Sequence, residues 1–188
     1  YFQVEDLATP GGRARQSDLL VLVDPLDGTR PFTAKLPTST VIVAAYDLTR
    51  RQLRSCMIGS PADGRVWYSG ESGCFLEPAP QGGAALPCRV CEGDLCQQSV
   101  VFVDFCAGFQ RRGREILSHE AAARLFSELF GRTQVLAAGS NGMHQALVAN
   151  GTAQSGLLAV GGITTAIGGP WDVAGVDLVL KAGGCAQA

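Results

Sequence analysis

Apolar residues come in short runs divided by turn residues, and over the first half of the chain the runs predict strands rather than helices. Leu19 to Val23 is apolar without interruption and predicts a buried strand that runs into Asp24-Pro25. Thr40 to Tyr46, rich in β-branched residues, predicts a second strand. Gln52 to Gly59 and Arg65 to Ser69 predict two more, with Ser60-Pro61-Ala62-Asp63-Gly64 as the turn between them, and Cys74 to Leu76 a short fifth. Together these make an antiparallel meander. Glu77 to Leu86, rich in Pro, Gly and Ala, is the natural boundary between two halves, 1–86 and 87–188.

Strands and helices then mix. Ser99 to Val103 predicts a strand, and Ser118 to Phe130 a helix. Ser118 suits the N-cap, Ala122, Leu125, Phe126, Leu129 and Phe130 form an apolar stripe at helical spacing, and Gly131 closes the helix. Thr133 to Ala137 predicts a strand, Ser140 caps a helix that runs to about Asn150-Gly151, and Ser155 to Val160 predicts another strand. Asp172 is expected to open a last helix to Lys181, ended by Gly183-Gly184. The pattern is that of an α/β chain without internal repeats.

Composition narrows the classes. The chain has 188 residues, 46% hydrophobic and 17% charged, which is globular and large enough to bury a core. The net charge is -2 and no long basic run occurs, so nucleic acid is not indicated as a partner. No apolar run is long enough to cross a bilayer. Seven cysteines, an odd number, with no signal-peptide pattern at the start, point to a cytoplasmic protein with reduced thiols. Cys88 and Cys91, followed by Cys96 and Cys106, lack the clean second pair and the nearby histidine of a zinc site. His144, on the helix after Ser140, reads as a surface or satisfied core residue in preference to a substrate contact.

The chemistry concentrates in Asp24-Pro25-Leu26-Asp27-Gly28-Thr29. Two carboxylates three apart in a tight turn can converge on one point, and with a turn carbonyl they offer the hard oxygens that magnesium takes. Gly28 permits a conformation that a side chain would block, and Gly28 and Thr29 offer backbone N–H groups to an anion. For a bare pair of aspartates an Asx-type turn is the commoner explanation. Likewise Asp172, within Pro170-Trp171-Asp172-Val173-Ala174, could be a simple helix cap.

Taken together, the two strings resemble the signature pair of the inositol monophosphatase superfamily, and the resemblance extends from Glu5 to Gly184. Trp171 to Gly184 matches the second motif, and Gly139-Ser140 with the helix ending Val148-Ala149-Asn150-Gly151 matches the segment between them. The resemblance implies a layered αβαβα sandwich with the metal cluster at the junction of two αβ halves. It implies Mg2+ held by Glu5, Asp24, the Leu26 carbonyl, Asp27 and Asp172. It places Thr29, Asp24 and Glu5 in catalysis and Gly28, Thr29 and Ser140 on the substrate. A metal in such a site lowers the pKa of bound water and neutralises the phosphate dianion, which gives hydrolysis of a phosphate monoester.

The implied partner is a small phosphorylated metabolite, either an inositol phosphate or a 3'(2'),5'-bisphosphate nucleotide. Gly161 to Gly169 contains no acidic residue, which disfavours strict inositol specificity. The family's N-terminal helices and its last strands are not in the sequence, so the chain is expected to be a fragment or trimmed at both ends. The alternative is a non-catalytic or truncated family member that binds a metal or metabolite. A homodimer is left open.

Overall fold

The computed structural model describes residues 19–78, 83–103, 110–111, 114–115, 118–153, 155–157 and 170–186. The first half is the expected meander. Strands β1 (Leu19–Asp27), β2 (Thr40–Asp47), β3 (Gln52–Gly59), β4 (Val66–Gly70), β5 (Gly73–Glu77) and β6 (Leu86–Pro87) form one antiparallel sheet in sequence order. A short helix, α1 (Thr29–Thr33), follows β1. In the second half β7 (Val100–Val103) precedes a two-strand hairpin of β8 (Gln110–Arg111) and β9 (Arg114–Glu115). Then come α2 (His119–Phe130), β10 (Gln134–Leu136), α3 (Asn141–Ala149) and β11 (Ser155–Leu157). Strands β10, β7 and β11 form a parallel sheet in that order, so α2 and α3 are crossover helices.

Register explains which residues make the core. On one face of the large sheet Ile42, Ile58 and Trp67 stand side by side across β2 to β4, all fully buried. Helices α3 and α4 (Val176–Lys181) pack on this face, with Met143, Ala146 and Leu178 closing the core. Helix α3 also contacts β11, so it lies between the two sheets. That position accounts for a helix buried almost all round, polar His144 and Gln145 included. Helix α2 packs on β10. The layers are thus antiparallel sheet, helices, parallel sheet and helix.

The opposite face of the large sheet is apolar but uncovered among the described residues. Register aligns Val23, Val43, Met57, Tyr68, Phe75 and Pro87 in one row across all six strands. Leu19, Val21 and Val23 are each about half exposed, at 48%, 56% and 50%. The expectation of a buried β1 is therefore corrected. Among the described residues it is an edge strand with one covered face, and up to the bulge after Asp24 its even positions turn toward the core, with Asp27 joining them beyond it.

Two boundaries also differ from expectation. Asp172 does not open the last helix. It lies in a separate 3-10 turn, Pro170–Val173, and α4 begins only at Val176 after Gly175. A Cβ at position 175 would fall 2.8 Å from Ile58 Cδ1 and collide with the Gln145 side chain, so this junction is set by close packing on the sheet. Gly131 ends α2 in a right-handed, not left-handed, conformation. Part of the predicted inter-half boundary, 79–82, and the tail of the strand predicted to Val160 lie outside the described residues.

Candidate metal and phosphate site

The end of β1 is irregular, and the irregularity builds the site. In a regular strand residues three apart point to opposite faces. Here Asp24 pairs with Ile42 and Asp27 with Thr40, so three steps along β1 match two along β2. This one-residue bulge brings both carboxylates to the α3 side of the sheet. Pro25 sits inside the bulge on an edge strand, where its missing N–H costs no ladder bond. The chain then reverses at Gly28, at φ 79° and ψ 51°, to start α1. A Cβ at Gly28 would lie 2.9 Å from Ser140 Cβ, so both backbone conformation and space demand glycine.

Asp27 is buried, and its Oδ2 gathers three donors. Thr40 Oγ1 donates at 2.9 Å, Ser140 Oγ at 2.5 Å and the Gly142 N–H at 2.8 Å. Ser140, fully buried, is the N-cap of α3 as expected and accepts from the Met143 N–H at 3.2 Å. The loop from β10 to α3 thus docks on the DPLDGT turn, at the carboxyl end of the parallel strands, where open α/β sheets place their ligands. Asp24 is half-buried and accepts from the Leu26 N–H at 3.0 Å. Burial pushes its carboxyl above the ordinary range; the Leu26 N–H opposes this, and the negative charge of Asp27 adds to it.

Of the residues expected from the sequence, Asp24, Leu26, Asp27, Gly28, Thr29 and Ser140 come together at this one place. Thr29 is exposed as the first residue of α1. The 3-10 turn that carries Asp172 packs against β1 and α3. Glu5 lies outside the described residues. Among the described residues no group of three or more His, Cys, Asp or Glu side chains is arranged to hold a metal ion. The donors that are present, two neighbouring carboxylates and a backbone carbonyl, are all hard oxygens. Their mutual repulsion is what a divalent cation would relieve, so they fit magnesium.

Sequence reasoning missed Thr40 and Gly142. Both carried a signal: Thr40 is a polar residue opening an apolar strand, and Gly142 is a glycine in a first helical turn, where it weakens the helix. A Cβ at 142 would fall 2.5 Å from Thr40 Oγ1 and 3.1 Å from Asp27 Oδ2.

His144 belongs to the core. It is 2% exposed, stacks on Phe102 with ring centroids 4.8 Å apart, and its Nε2 accepts from the Ala138 N–H at 2.9 Å. The cysteines that invited a zinc reading part company. Cys88 is buried against Cys74, Cys91 Sγ donates to the Gly151 carbonyl at 2.7 Å, and Cys96 is exposed beside Ser99. Cys106 lies outside the described residues.

This fold, with its paired-aspartate turn at the junction of sheet and crossover helix, is that of a sugar-phosphatase-like α/β sandwich. A model of the inositol monophosphatase family matches residues 2–187, and the chain belongs to that family. Among solved structures it is similar to the IMPase of Thermotoga maritima, with 21% identity and a TM-score of 0.65, covering 93% of this chain and 59% of that one. It is similar to SuhB of Mycobacterium tuberculosis, with 20% identity and a TM-score of 0.67, covering 88% and 60%. A calcium-bound IMPase family protein from Staphylococcus aureus matches with 14% identity and a TM-score of 0.65, covering 93% and 59%. The chain therefore spans about three fifths of the length of these structures. No curated protein matches at a significant level. No described helix is long and apolar enough to cross a membrane.

Proposed function

We propose that this chain carries the catalytic centre of a Mg2+-dependent phosphatase that hydrolyses a small-molecule phosphate monoester. The observation that carries the reading is the bulge in β1, which turns Asp24 and Asp27 to one side beside the N-terminus of α3. Asp24, Asp27, the Leu26 carbonyl and, from its turn against β1, Asp172 would hold the metal, with Glu5 as a further ligand. When bound, the metal supplies an activated water and neutralises phosphate charge. The backbone N–H groups of Gly28 and Thr29 receive phosphate oxygens, and the exposed Thr29 hydroxyl orients the attacking water. That the Staphylococcus aureus family protein is calcium-bound supports a divalent cation as the metal of this chain. Asp24, Asp27 and Thr29 are all intact, which favours catalysis over a purely binding role.

The substrate is an inositol phosphate or a 3'(2'),5'-bisphosphate nucleotide. The absence of an acid from Gly161 to Gly169 supports the nucleotide over strict inositol recognition. The test is phosphate release from an inositol monophosphate, 3'-phosphoadenosine 5'-phosphate and fructose 1,6-bisphosphate, with and without Mg2+. Mg2+-dependent release from one of the first two is expected. Release that ignores Mg2+, or none from any of the three by a folded protein, overturns the reading.

A further inference from the structure

We propose that Thr40 and Ser140 are positioning residues for Asp27, pinning its Oδ2 so that Oδ1 alone is presented to a divalent cation. The inference rests on the metal reading above and deepens it. An ionised carboxylate has about four acceptor sites shared by its two oxygens, so three donors on one of them saturate that oxygen. Oδ2 takes three donors, from Thr40, Ser140 and the Gly142 N–H, while Oδ1 has no partner among the described residues. Such a carboxylate cannot chelate through both oxygens without discarding charge-assisted hydrogen bonds. It is held as a one-oxygen ligand in a fixed orientation.

Proton accounting sharpens the roles. Thr40 Oγ1 and Ser140 Oγ are also 3.0 Å apart, yet each hydroxyl has one proton. Both hydroxyls reach the charged oxygen, which is the stronger acceptor, and Ser140 keeps its lone pairs for the Met143 N–H. Ser140 thus serves two elements at once: it caps α3 and fixes Asp27. Thr40 fixes Asp27 from the neighbouring strand, as its register partner. The missing side chains at Gly28 and Gly142 let these groups approach. Full burial of both hydroxyls removes them from contact with substrate.

The test measures Mg2+ binding by titration calorimetry on the whole chain, for wild type, Ser140→Ala, Thr40→Val, Thr40→Ser and Asp24→Asn. Loss of a partner that orients a metal ligand typically weakens metal affinity by about 10–100-fold. Ser140→Ala and Thr40→Val should show that loss, and Thr40→Ser, which keeps the hydroxyl, should not. The KM for phosphate ester at saturating Mg2+ should move less than the metal affinity does. Wild-type Mg2+ affinity in both hydroxyl-deleted variants, with circular dichroism unchanged, overturns the inference. So does a shift in KM alone, which would make Ser140 a substrate contact. If Ser140→Ala fails to fold, the Thr40 pair decides. Wild type that takes up no Mg2+ overturns the metal reading as well. Wild-type binding that only Asp24→Asn abolishes overturns the positioning role alone.

Discussion

Asp24 shows what the site costs the fold. Its carboxyl is held above the ordinary range by burial, against the pull of the Leu26 N–H, with Asp27 adding repulsion. A carboxyl whose folded pKa lies above the unfolded one favours the fold below the unfolded value of 3.8, and that favour is lost as pH rises through the folded pKa. At neutral pH the ionised Asp24 therefore opposes folding. Asp24→Asn should melt at a higher temperature than wild type in a chelating buffer at pH 7. The gap should close as the pH approaches 3.8, where wild type is protonated too. On the proposed reading Mg2+ should raise the melting temperature of wild type but not of this variant, which should also lose turnover. A variant that melts lower at pH 7 without metal would show that Asp24 is structural. The trade of stability for a charged site is common at functional centres.

Helix α3 sets the pH range over which the elements stay together. His144 is sealed between Phe102 and the loop before the helix, and burial brings its pKa down to about 4, with Asp27 pulling the other way. A histidine with a depressed folded pKa stabilises fully above the unfolded value of 6.5, and the contribution is lost as pH falls from there toward 4. Over that window urea unfolding should show a loss of up to about 3 kcal/mol. His144→Gln, which keeps an acceptor for the Ala138 N–H but does not titrate, should flatten the slope. At this scale much was legible in the sequence. β2, β3 and β4 lie within a residue or two of the runs that predicted them, because β-branched runs bounded by turn residues leave few alternatives. The caps Ser118 and Ser140 were legible because a hydroxyl before a helix has a local role. The exposure of β1 was not, since an apolar run reports hydrophobicity but not whether a neighbouring layer covers it. Nor was the bulge, which exists only as a count of β1 residues against their partners on β2. The six residues of the turn named the chemistry, but Thr40 and Gly142 needed the tertiary approach to reveal them.

Across the whole molecule the site is a place where distant parts of the chain meet. The Asp27–Gly142 bond spans 115 residues, Thr38–Ala138 spans 100 and Ser69–Asp177 spans 108. Closing a loop of that length costs on the order of 4 kcal/mol in chain entropy. Hydrogen bonds to a charged group give back roughly 1.5–3 kcal/mol each. Two of the bonds on Oδ2, from Ser140 and the Gly142 N–H, cross that loop and together return roughly 3–6 kcal/mol, about the cost of the closure. In kinetic terms, the capacity to bind Mg2+ should arise in the last refolding phase, together with the burial of Trp67, and no early intermediate should possess it. Stopped-flow refolding read by tryptophan fluorescence, paired with delayed Mg2+ addition, would detect any earlier appearance. On the proposed reading the cation would then act as a reporter of finished assembly: it would mark only chains that have completed their topology, and partly folded forms would be silent.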